Sequence, residues 1–386
     1  MKSLLYRFFA SATHAHSVSM VGLACVALAL FLFSCSSIPP AHRATPPGDE
    51  GGLSPRYSIV CIIHGDGGYL YHDAHGDAHR ADEVTLAKAK TVAERNTQAE
   101  MFIFHERRRR HLLLFFPLRD GTFYYYRHGR LLAEESYWRD QGQLRFDPEM
   151  ELYNRFRAEG SPEMVRLFLY FGHEIPEFGG AGYDASYKNR TFTVGDLADG
   201  LKRITRDSTK VDLVVLSTCF SGTPRTIAAL APYARYVIAS PDNLHLSYFD
   251  LRPFEQLDIG LREGDVSGFA NTFAHHAFDR LTEDIQTAVT VVVYDVDRVR
   301  EFLDSVDSIY DHALTTLKGK TPATIEHCDC AEDSVYVLSG MSEGVDIFYR
   351  PSRFGRSKHK QNHSGWECWR ARESRAAVSH SISEVR

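Results

Sequence analysis

The sequence has no excess of positive charge and no internal apolar run long enough to suggest a membrane span. Lysine and arginine total 44 against 50 aspartates and glutamates, a formal net charge of −6, which argues against a nucleic-acid-binding protein. The longest N-terminal apolar run, Val21 to Phe33, has 13 residues and is too short for a comfortable span. Core material is abundant: of 386 residues, 44% are hydrophobic and 12% aromatic, enough for one large or two ordinary globular domains.

The N-terminal 35 residues have the three parts of a secretory signal: a positive segment, the apolar run and a group of small residues. The ending Leu32-Phe33-Ser34-Cys35 resembles the lipobox of bacterial lipoproteins, in which the cysteine is acylated. This resemblance implies lipidation of Cys35 and a protein anchored by lipid to a membrane of the bacterial cell envelope. The alternative is an ordinary cleaved signal with a chance cysteine.

Composition divides the rest of the chain into three parts. Residues 36–56, rich in proline, predict a flexible tether, residues 57–350 a globular domain, and residues 351–386 a poorly ordered tail. Five cysteines remain beyond the signal, and in an oxidising compartment Cys328 or Cys330 can pair with Cys368. Their odd number leaves at least one thiol outside any disulfide.

Apolar runs of strand length alternate with helical patterns along the globular part. Strands are predicted at 57–63, 101–104, 165–171, 211–216, 236–239 and 287–294, and helices over 81–95, 148–158, 193–204, 223–230, 265–282 and 297–317. Shorter β segments at 111–117, 123–126 and 130–134 predict an inserted β-meander, with Arg107 to Arg110 as a solvated turn. Strands apolar on both faces are typical of a parallel sheet between helical layers. The sequence therefore predicts an α/β fold, a three-layer sandwich with a mostly parallel central sheet.

Two predicted strands end in reactive side chains. The strand over 165–171 is followed by His173, and the strand over 211–216 runs into Cys219, with one helix between them. A right-handed β-α-β crossover brings both carboxyl ends to one edge of the sheet, where α/β proteins bind ligands. An imidazole beside a thiol favours the thiolate and can protonate a leaving amine. Cys219 is therefore the candidate nucleophile and His173 its acid–base partner, and the backbone N–H groups of Glu174 and Cys219 are candidates for an oxyanion hole.

This order of strand, histidine, helix and strand ending in cysteine resembles the clostripain-like cysteine peptidases, and more remotely the caspases, gingipains and legumains. The 46 positions between His173 and Cys219 and the downstream segment Tyr233 to Ser240 extend the resemblance over roughly residues 58–294. It implies a caspase-like fold and a membrane-anchored cysteine endopeptidase that hydrolyses peptide bonds of a protein or peptide substrate. It also implies a calcium dependence, although no calcium loop is legible and the sequence by itself requires no cofactor.

Two positions depart from that family's pattern. Glu174 stands where glycine is usual, and Ser217 stands two residues before the nucleophile, where an aspartate linked to arginine or lysine preference is common. Ser217 and Asp242 are therefore the candidate substrate-binding residues, Asp242 as the replacement carboxylate. The residue preferred on the amino side of the cleaved bond does not follow from the sequence.

Three other interpretations compete with the peptidase. A catalytically inactive lipoprotein of the same fold would use the cleft to bind a peptide or protein partner. An α/β-hydrolase would need Gly-x-Ser-x-Gly at a strand-to-helix turn, which Ser217 to Gly222 does not provide. A metal-dependent hydrolase would draw on a group of ligand-type residues without a known spacing, which favours a polar loop and no metal: His64, Asp66, His72, Asp73, His75, Asp77, His79 and Asp82.

Overall fold

The computed structural model describes residues 54–72, 76–113, 115–142, 144–158, 163–177, 179–205, 210–244, 249–261, 265–301, 303–304, 308 and 344–355. The signal with Cys35, most of the tether, the tail beyond residue 355 and the cysteines at 328, 330 and 368 lie outside these residues. Lipidation, envelope location and disulfide pairing therefore stay predictions. Within the described ranges no helix has both the length and the apolar character needed to cross a membrane.

The middle layer of the molecule is a large β-sheet. Along the chain the strands are β1 Tyr57–Gly65, β2 Leu70–His72, β3 Ala78–Arg80, β4 Ala99–Arg107, β5 Arg110–Leu112, β6 Phe116–Leu118, β7 Gly121–Arg127, β8 Arg130–Tyr137, β9 Val165–Phe171, β10 Val211–Ser217, β11 Ala234–Ala239, β12 Val289–Asp295 and β13 Val345–Arg350. Nine of them form one sheet in the order β13-β12-β11-β10-β9-β1-β4-β7-β8. The pairs β2-β3 and β5-β6 are separate two-stranded hairpins.

The five central strands, β4, β1, β9, β10 and β11, are parallel. Antiparallel strands extend the sheet at both sides, β7 and β8 beyond β4, and β12 and β13 beyond β11. All nine residues of β1 are buried, as expected for a strand covered on both faces. The parallel centre places the carboxyl ends of its strands at one edge, where the reactive residues were predicted.

Helices cover both faces of the sheet. They are α1 Ala81–Arg95, α2 Asp147–Phe156, α3 Val194–Thr205, α4 Pro224–Leu230, α5 Leu257–Gly260 and α6 Val266–Asp284, with a 3-10 turn at Arg252–Gln256. On one face, Val92 of α1 and Phe273 of α6 belong to the same buried cluster as Ile59 of β1. On the other face, Tyr153 of α2 packs on Phe102 of β4 with ring centroids 4.8 Å apart. The predicted three-layer α/β sandwich is confirmed.

The structure differs from the sequence prediction at three places. The segment 111–117 is not one strand, because the chain reverses near Leu113 and forms the hairpin β5-β6. The predicted meander is formed by β4, β7 and β8 and extends the main sheet. The strand β13 was not predicted, and most of the helix expected over 297–317 lies outside the described residues.

Candidate active site

His173 and Cys219 leave neighbouring parallel strands at the same register. Phe171 of β9 pairs with Ser217 of β10, and each reactive residue follows two positions later. Adjacent strands lie about 4.8 Å apart, so both residues emerge at the same carboxyl edge. His173 is exposed and Cys219 half-buried, so neither is sealed in the core. The two strands are placed as predicted, while the joint action of the two side chains as a dyad stays a prediction.

The segment that follows β11 contacts the sulfur of Cys219. The thiol donates to Asn243 Oδ1 at 3.2 Å, and the backbone N–H of Leu244 donates to the sulfur at 3.3 Å. A hydrogen-bond donor aimed at the sulfur favours its anionic form over the neutral thiol. A rotated Asn243 side chain would present its amide N–H₂ in place of the oxygen, so this residue can serve the thiol and the thiolate in turn. The sulfur therefore has polar neighbours suited to both protonation states.

Close backbone contacts set the turn after Cys219. Phe220 adopts a left-handed conformation with φ of 51°, and its N–H donates to the carbonyl of Asp242 at 3.1 Å. A Cβ on Gly222 would lie 2.7 Å from the nitrogen of Pro241, so only glycine fits there. These contacts join the end of β10 to the segment after β11 and hold the cysteine in position.

The ring of His173 packs edge-to-face against Tyr69, with centroids 4.0 Å apart and an interplanar angle of 83°. Partial burial of the ring, and then the electrostatic interaction with His64, lower the pKa of His173 to about 4, and Glu174 opposes them. The imidazole is therefore neutral at neutral pH. A neutral imidazole is the form that can accept a proton from a thiol, and this is the form that the predicted role of His173 as a base requires.

Tyr69 is a site residue that sequence reasoning missed. It lies in the loop between β1 and β2, it is buried, and its ring fills the space beside Gly67, where a Cβ would lie 2.1 Å away. Its hydroxyl has no hydrogen-bond partner among the described residues. The sequence signal was an aromatic residue directly after the glycine-rich loop that ends β1, on the reactive edge of the sheet.

The two predicted substrate-binding residues both hold the loop around the cysteine. Ser217 is fully buried, and its hydroxyl accepts a hydrogen bond from the N–H of Phe249 at 2.8 Å. Asp242 is half-buried, and its Oδ2 accepts from the hydroxyl of Thr290 at 2.6 Å. These contacts give each residue a structural role. Substrate binding by either, and an oxyanion hole at Glu174 and Cys219, stay predictions.

A buried ion-pair cluster lies at the same edge, next to His64. Its six members are buried side chains from four segments of the chain: His64, Asp66, Glu106, Arg139, Arg145 and Asp184. Asp184 accepts hydrogen bonds from His64 Nε2 at 2.8 Å and from both arginines. Hydrogen bonding to His64 and the two guanidinium charges lower the pKa of Asp184 strongly, against the effect of its burial. Each buried charge thus faces an opposite charge, as a buried ion pair requires.

The chain that follows His173 is tied to this cluster. Ser186 donates from its hydroxyl to Asp66 at 2.6 Å, and Tyr187 donates to Asp120 at 2.5 Å. These bonds, with those of Asp184, fix the loop between β9 and α3 against the end of β1, the start of β7 and the segment after β8. The later part of the loop that follows His173 is therefore held against the buried cluster.

The cluster contains a triad with metal-ligand chemistry. One ligand atom each of His64, Glu106 and Asp184 lies within 4.8 Å of the others. However, guanidinium groups of Arg139 and Arg145 contact both carboxylates, and a cation placed there would meet two buried positive charges. We therefore interpret it as an ion-pair cluster. Of the other metal-type residues, Asp82 pairs with His105 at 2.9 Å, and Asp73 and His75 lie outside the described residues.

A known protein family matches the part of the chain that contains the candidate site. The model of the clostripain family, peptidase C11, matches residues 173–353, a little under half of the chain, and the match includes both His173 and Cys219. No curated protein sequence matches the chain.

Two solved structures show a general similarity to the chain. A secreted C11 cysteine protease from Bacteroides thetaiotaomicron in complex with an irreversible peptide inhibitor is 11% identical, with 68% of this chain and 71% of that chain covered and a TM-score of 0.45. An inactive zymogen C11 protease from Parabacteroides distasonis is 12% identical, with 75% and 74% covered and a TM-score of 0.44. Similarity at this level does not bear on function, which depends on the site itself.

Proposed function

We propose that the protein is a cysteine endopeptidase in which Cys219 attacks a peptide carbonyl and His173 transfers the proton. The observation that carries the proposal is the Phe171–Ser217 register pair, which brings an accessible imidazole and an accessible thiol to adjacent positions of one sheet edge. The match of the clostripain family to the segment that contains both residues supports it. The lowered pKa of His173 supplies the neutral base that the first step needs.

The reaction begins from a neutral pair. His173 accepts the thiol proton as the sulfur of Cys219 bonds to the carbonyl carbon, and the carbonyl oxygen becomes an anion. The imidazolium then gives that proton to the leaving amine, the C–N bond breaks and a thioester remains. A water molecule loses a proton to His173 and attacks the thioester, and the C–S bond breaks to release the carboxylic acid. The imidazolium returns the proton to the departing sulfur, which restores the thiol and the neutral imidazole.

The anionic stages need hydrogen-bond donors. The N–H of Leu244, 3.3 Å from the sulfur, stabilises the negative charge that develops on the sulfur as its proton moves to His173. For the carbonyl oxygen, the backbone N–H groups of Cys219 and Glu174 are our proposed oxyanion hole, because both follow the ends of the paired strands. In enzymes of known mechanism, one such donor lowers the activation barrier by about 3 kcal/mol.

A panel of fluorogenic peptides that differ only in the residue before the cleaved bond tests the proposal. We expect Cys219→Ala to lower kcat/KM at least about a thousand-fold, because removal of a nucleophile removes the covalent pathway. We expect His173→Ala to cause a comparable loss. The matched control is His275→Ala, which removes an exposed histidine that pairs with Asp279 on α6. Cleavage by Cys219→Ala at the wild-type rate would refute the proposal.

Thiol labelling distinguishes the enzyme from a protein that only binds peptides. With iodoacetamide near pH 7, a cysteine that loses its proton to a neighbouring base reacts faster than an ordinary thiol with a pKa of about 8.5. Peptide mapping identifies the labelled residue, and His173→Ala should slow labelling at Cys219. Labelling that follows the pH curve of an ordinary thiol, with no cleavage of any peptide, would favour the binding protein.

A further inference from the structure

The hairpin β5-β6 exposes a group of large apolar side chains. The exposed fraction is 53% for Leu112, 65% for Leu113, 80% for Phe115 and 62% for Phe116. The two three-residue strands pair only with each other and add nothing to the main sheet. The hairpin begins three residues after β4, at the carboxyl edge that also bears His173 and Cys219. Such a contiguous exposed apolar group is typical of an interaction site.

Arginines surround the base of this hairpin. Residues 107–119 contain five arginines and no aspartate or glutamate. Arg108, Arg110 and Arg119 are exposed. Arg109 is held by its backbone N–H, which donates to Ser186 at 2.8 Å, and so it fixes the base of the hairpin to the loop after His173. The hairpin thus has a positively charged base and an uncharged apolar tip.

We propose that the hairpin β5-β6 inserts its tip into the surface of an anionic lipid bilayer. The apolar side chains enter the boundary between headgroups and acyl chains, and the three exposed arginines contact the lipid phosphates. A three-residue strand extends about 10 Å, which matches the depth of about 5–10 Å for side chains inserted in this boundary. This proposal is independent of acylation at Cys35 and of the proposed peptidase activity.

Two features favour lipid over a protein partner. Successive strand residues point to opposite faces, and every described residue from 110 to 118 is exposed, so the hairpin has no covered side. A protein groove contacts one face, whereas a fluid bilayer surrounds an inserted tip. In addition, Leu113 has φ of 50° in the turn, a conformation that glycine or asparagine adopts more easily. Leucine in this conformation destabilises the fold, and a contact with lipid accounts for its presence at this position.

A tryptophan placed at the tip reports on insertion. The full chain carries Phe115→Trp together with Cys35→Ser, so that acylation does not contribute, and it is mixed with vesicles of phosphatidylcholine alone or with phosphatidylglycerol. The control is Ile259→Trp, at a residue 57% exposed in α5, whose neighbour Asp258 contacts Gln98 at the amino edge of the sheet. The emission of the Cys35→Ser chain, which carries the three native tryptophans, is subtracted. For the remaining emission of Phe115→Trp we expect a blue shift, and quenching by lipids brominated on the acyl chain, with phosphatidylglycerol only. For Ile259→Trp we expect neither.

Charge-reversal variants test whether the arginines contribute to lipid binding. In the Phe115→Trp chain, Arg108→Glu with Arg110→Glu should weaken partitioning at least about twenty-fold, since each basic residue near an anionic surface contributes about a five-fold factor. Arg298→Glu with Arg300→Glu makes the same change of net charge at two exposed arginines elsewhere and should have an effect below about three-fold.

Three results would overturn the proposal. The first is unchanged tryptophan emission from the Phe115→Trp chain when it sediments with vesicles, because another segment then binds the lipid. The second is an equal shift in the Ile259→Trp control. The third is a shift in the Phe115→Trp chain that appears without lipid and grows with protein concentration, which would make a second copy of the chain the occupant of the hairpin surface.

Discussion

From the contact between Tyr69 and His173 we predict how the proposed cleavage reaction depends on pH. Substitution Tyr69→Ala removes the ring that packs on the imidazole and admits water to it. Burial is the larger of the two causes that lower the pKa of His173 to about 4, and His64 is the second. We therefore expect the pKa of His173 to rise in the variant.

The size of the effect follows from the interval between the two pKa values. An ordinary histidine has a pKa of about 6.5, so about 2.5 units separate it from His173. His173 is exposed on its outer side and His64 remains, so removal of one ring should recover about one unit of this interval. At pH 5 the neutral fraction of His173 would then fall from about nine-tenths to about one-half.

The measurement is kcat/KM for one fluorogenic peptide between about pH 3.5 and 8 at constant ionic strength. The acid limb of the profile reports the pKa of the base in the unbound enzyme. Each profile is normalised to its own plateau, so a smaller amount of folded enzyme does not move the limb. The control is Tyr69→Phe, which keeps the ring and removes a hydroxyl without a partner among the described residues.

Two outcomes would refute the reasoning. If the wild-type limb lies at pH 6.5 or above, the pKa of His173 is not lowered in the working enzyme. If Tyr69→Ala and Tyr69→Phe show the same limb, the aromatic ring does not keep water from the imidazole. A limb that moves in the alanine variant alone supports both the contact and the role of His173 as base.

Two further predictions concern stability and are measured by urea unfolding against pH. Asp184→Ala should lower the free energy of unfolding by about 3–5 kcal/mol at pH 7, because it leaves buried guanidinium groups underpaired. The control Asp199→Ala, at an exposed residue of α3, should have little effect. Folding lowers the pKa of Asp184, so this residue stabilises the folded state above about pH 4, and the stabilisation is lost as the pH falls. The free energies of unfolding of the wild type and of Asp184→Ala should therefore converge in acid. Burial, and then the charge of Glu106, raise the pKa of Glu149 to about 7. Between about pH 4.5 and 7 the folded state therefore binds more protons than the unfolded state, so the free energy of unfolding decreases as the pH rises through this window. Glu149→Gln should remove this pH dependence and be more stable than the wild type at pH 8, by up to about 3 kcal/mol. If the free energies of unfolding of the two proteins change in parallel with pH, Glu149 is not a buried group that titrates in this range.

The sequence alone was sufficient for the elements that position the candidate site. The helix α1 spans the predicted residues 81–95, and β9 spans the predicted 165–171. Both carry a strong periodic or continuous apolar pattern, and such patterns depend on local burial that the sequence displays directly. The order of strand, helix and strand then limited β9 and β10 to parallel neighbours, because crossover connections have one preferred hand.

Elements without such a pattern were not predictable. The strand β13 pairs with β12 far along the chain, and its pairing depends on an edge that exists only once the sheet has formed. The segment 111–117 reads as one strand, yet the chain folds back near Leu113. The sequence did not reveal this turn, because no glycine or asparagine marks it.

The features of the candidate site likewise fall into those that the sequence predicts and those that only the tertiary structure shows. The amino-acid sequence by itself determined that a histidine and a cysteine end neighbouring parallel strands, since strand order and register follow from local pattern and chain connectivity. Only the tertiary structure decided what surrounds them: Tyr69 on the imidazole, Leu244 at the sulfur, and a six-residue ion-pair cluster built from separate segments. These contacts join residues far apart in the chain, and the pKa values they set depend on distance and burial, which no linear pattern contains.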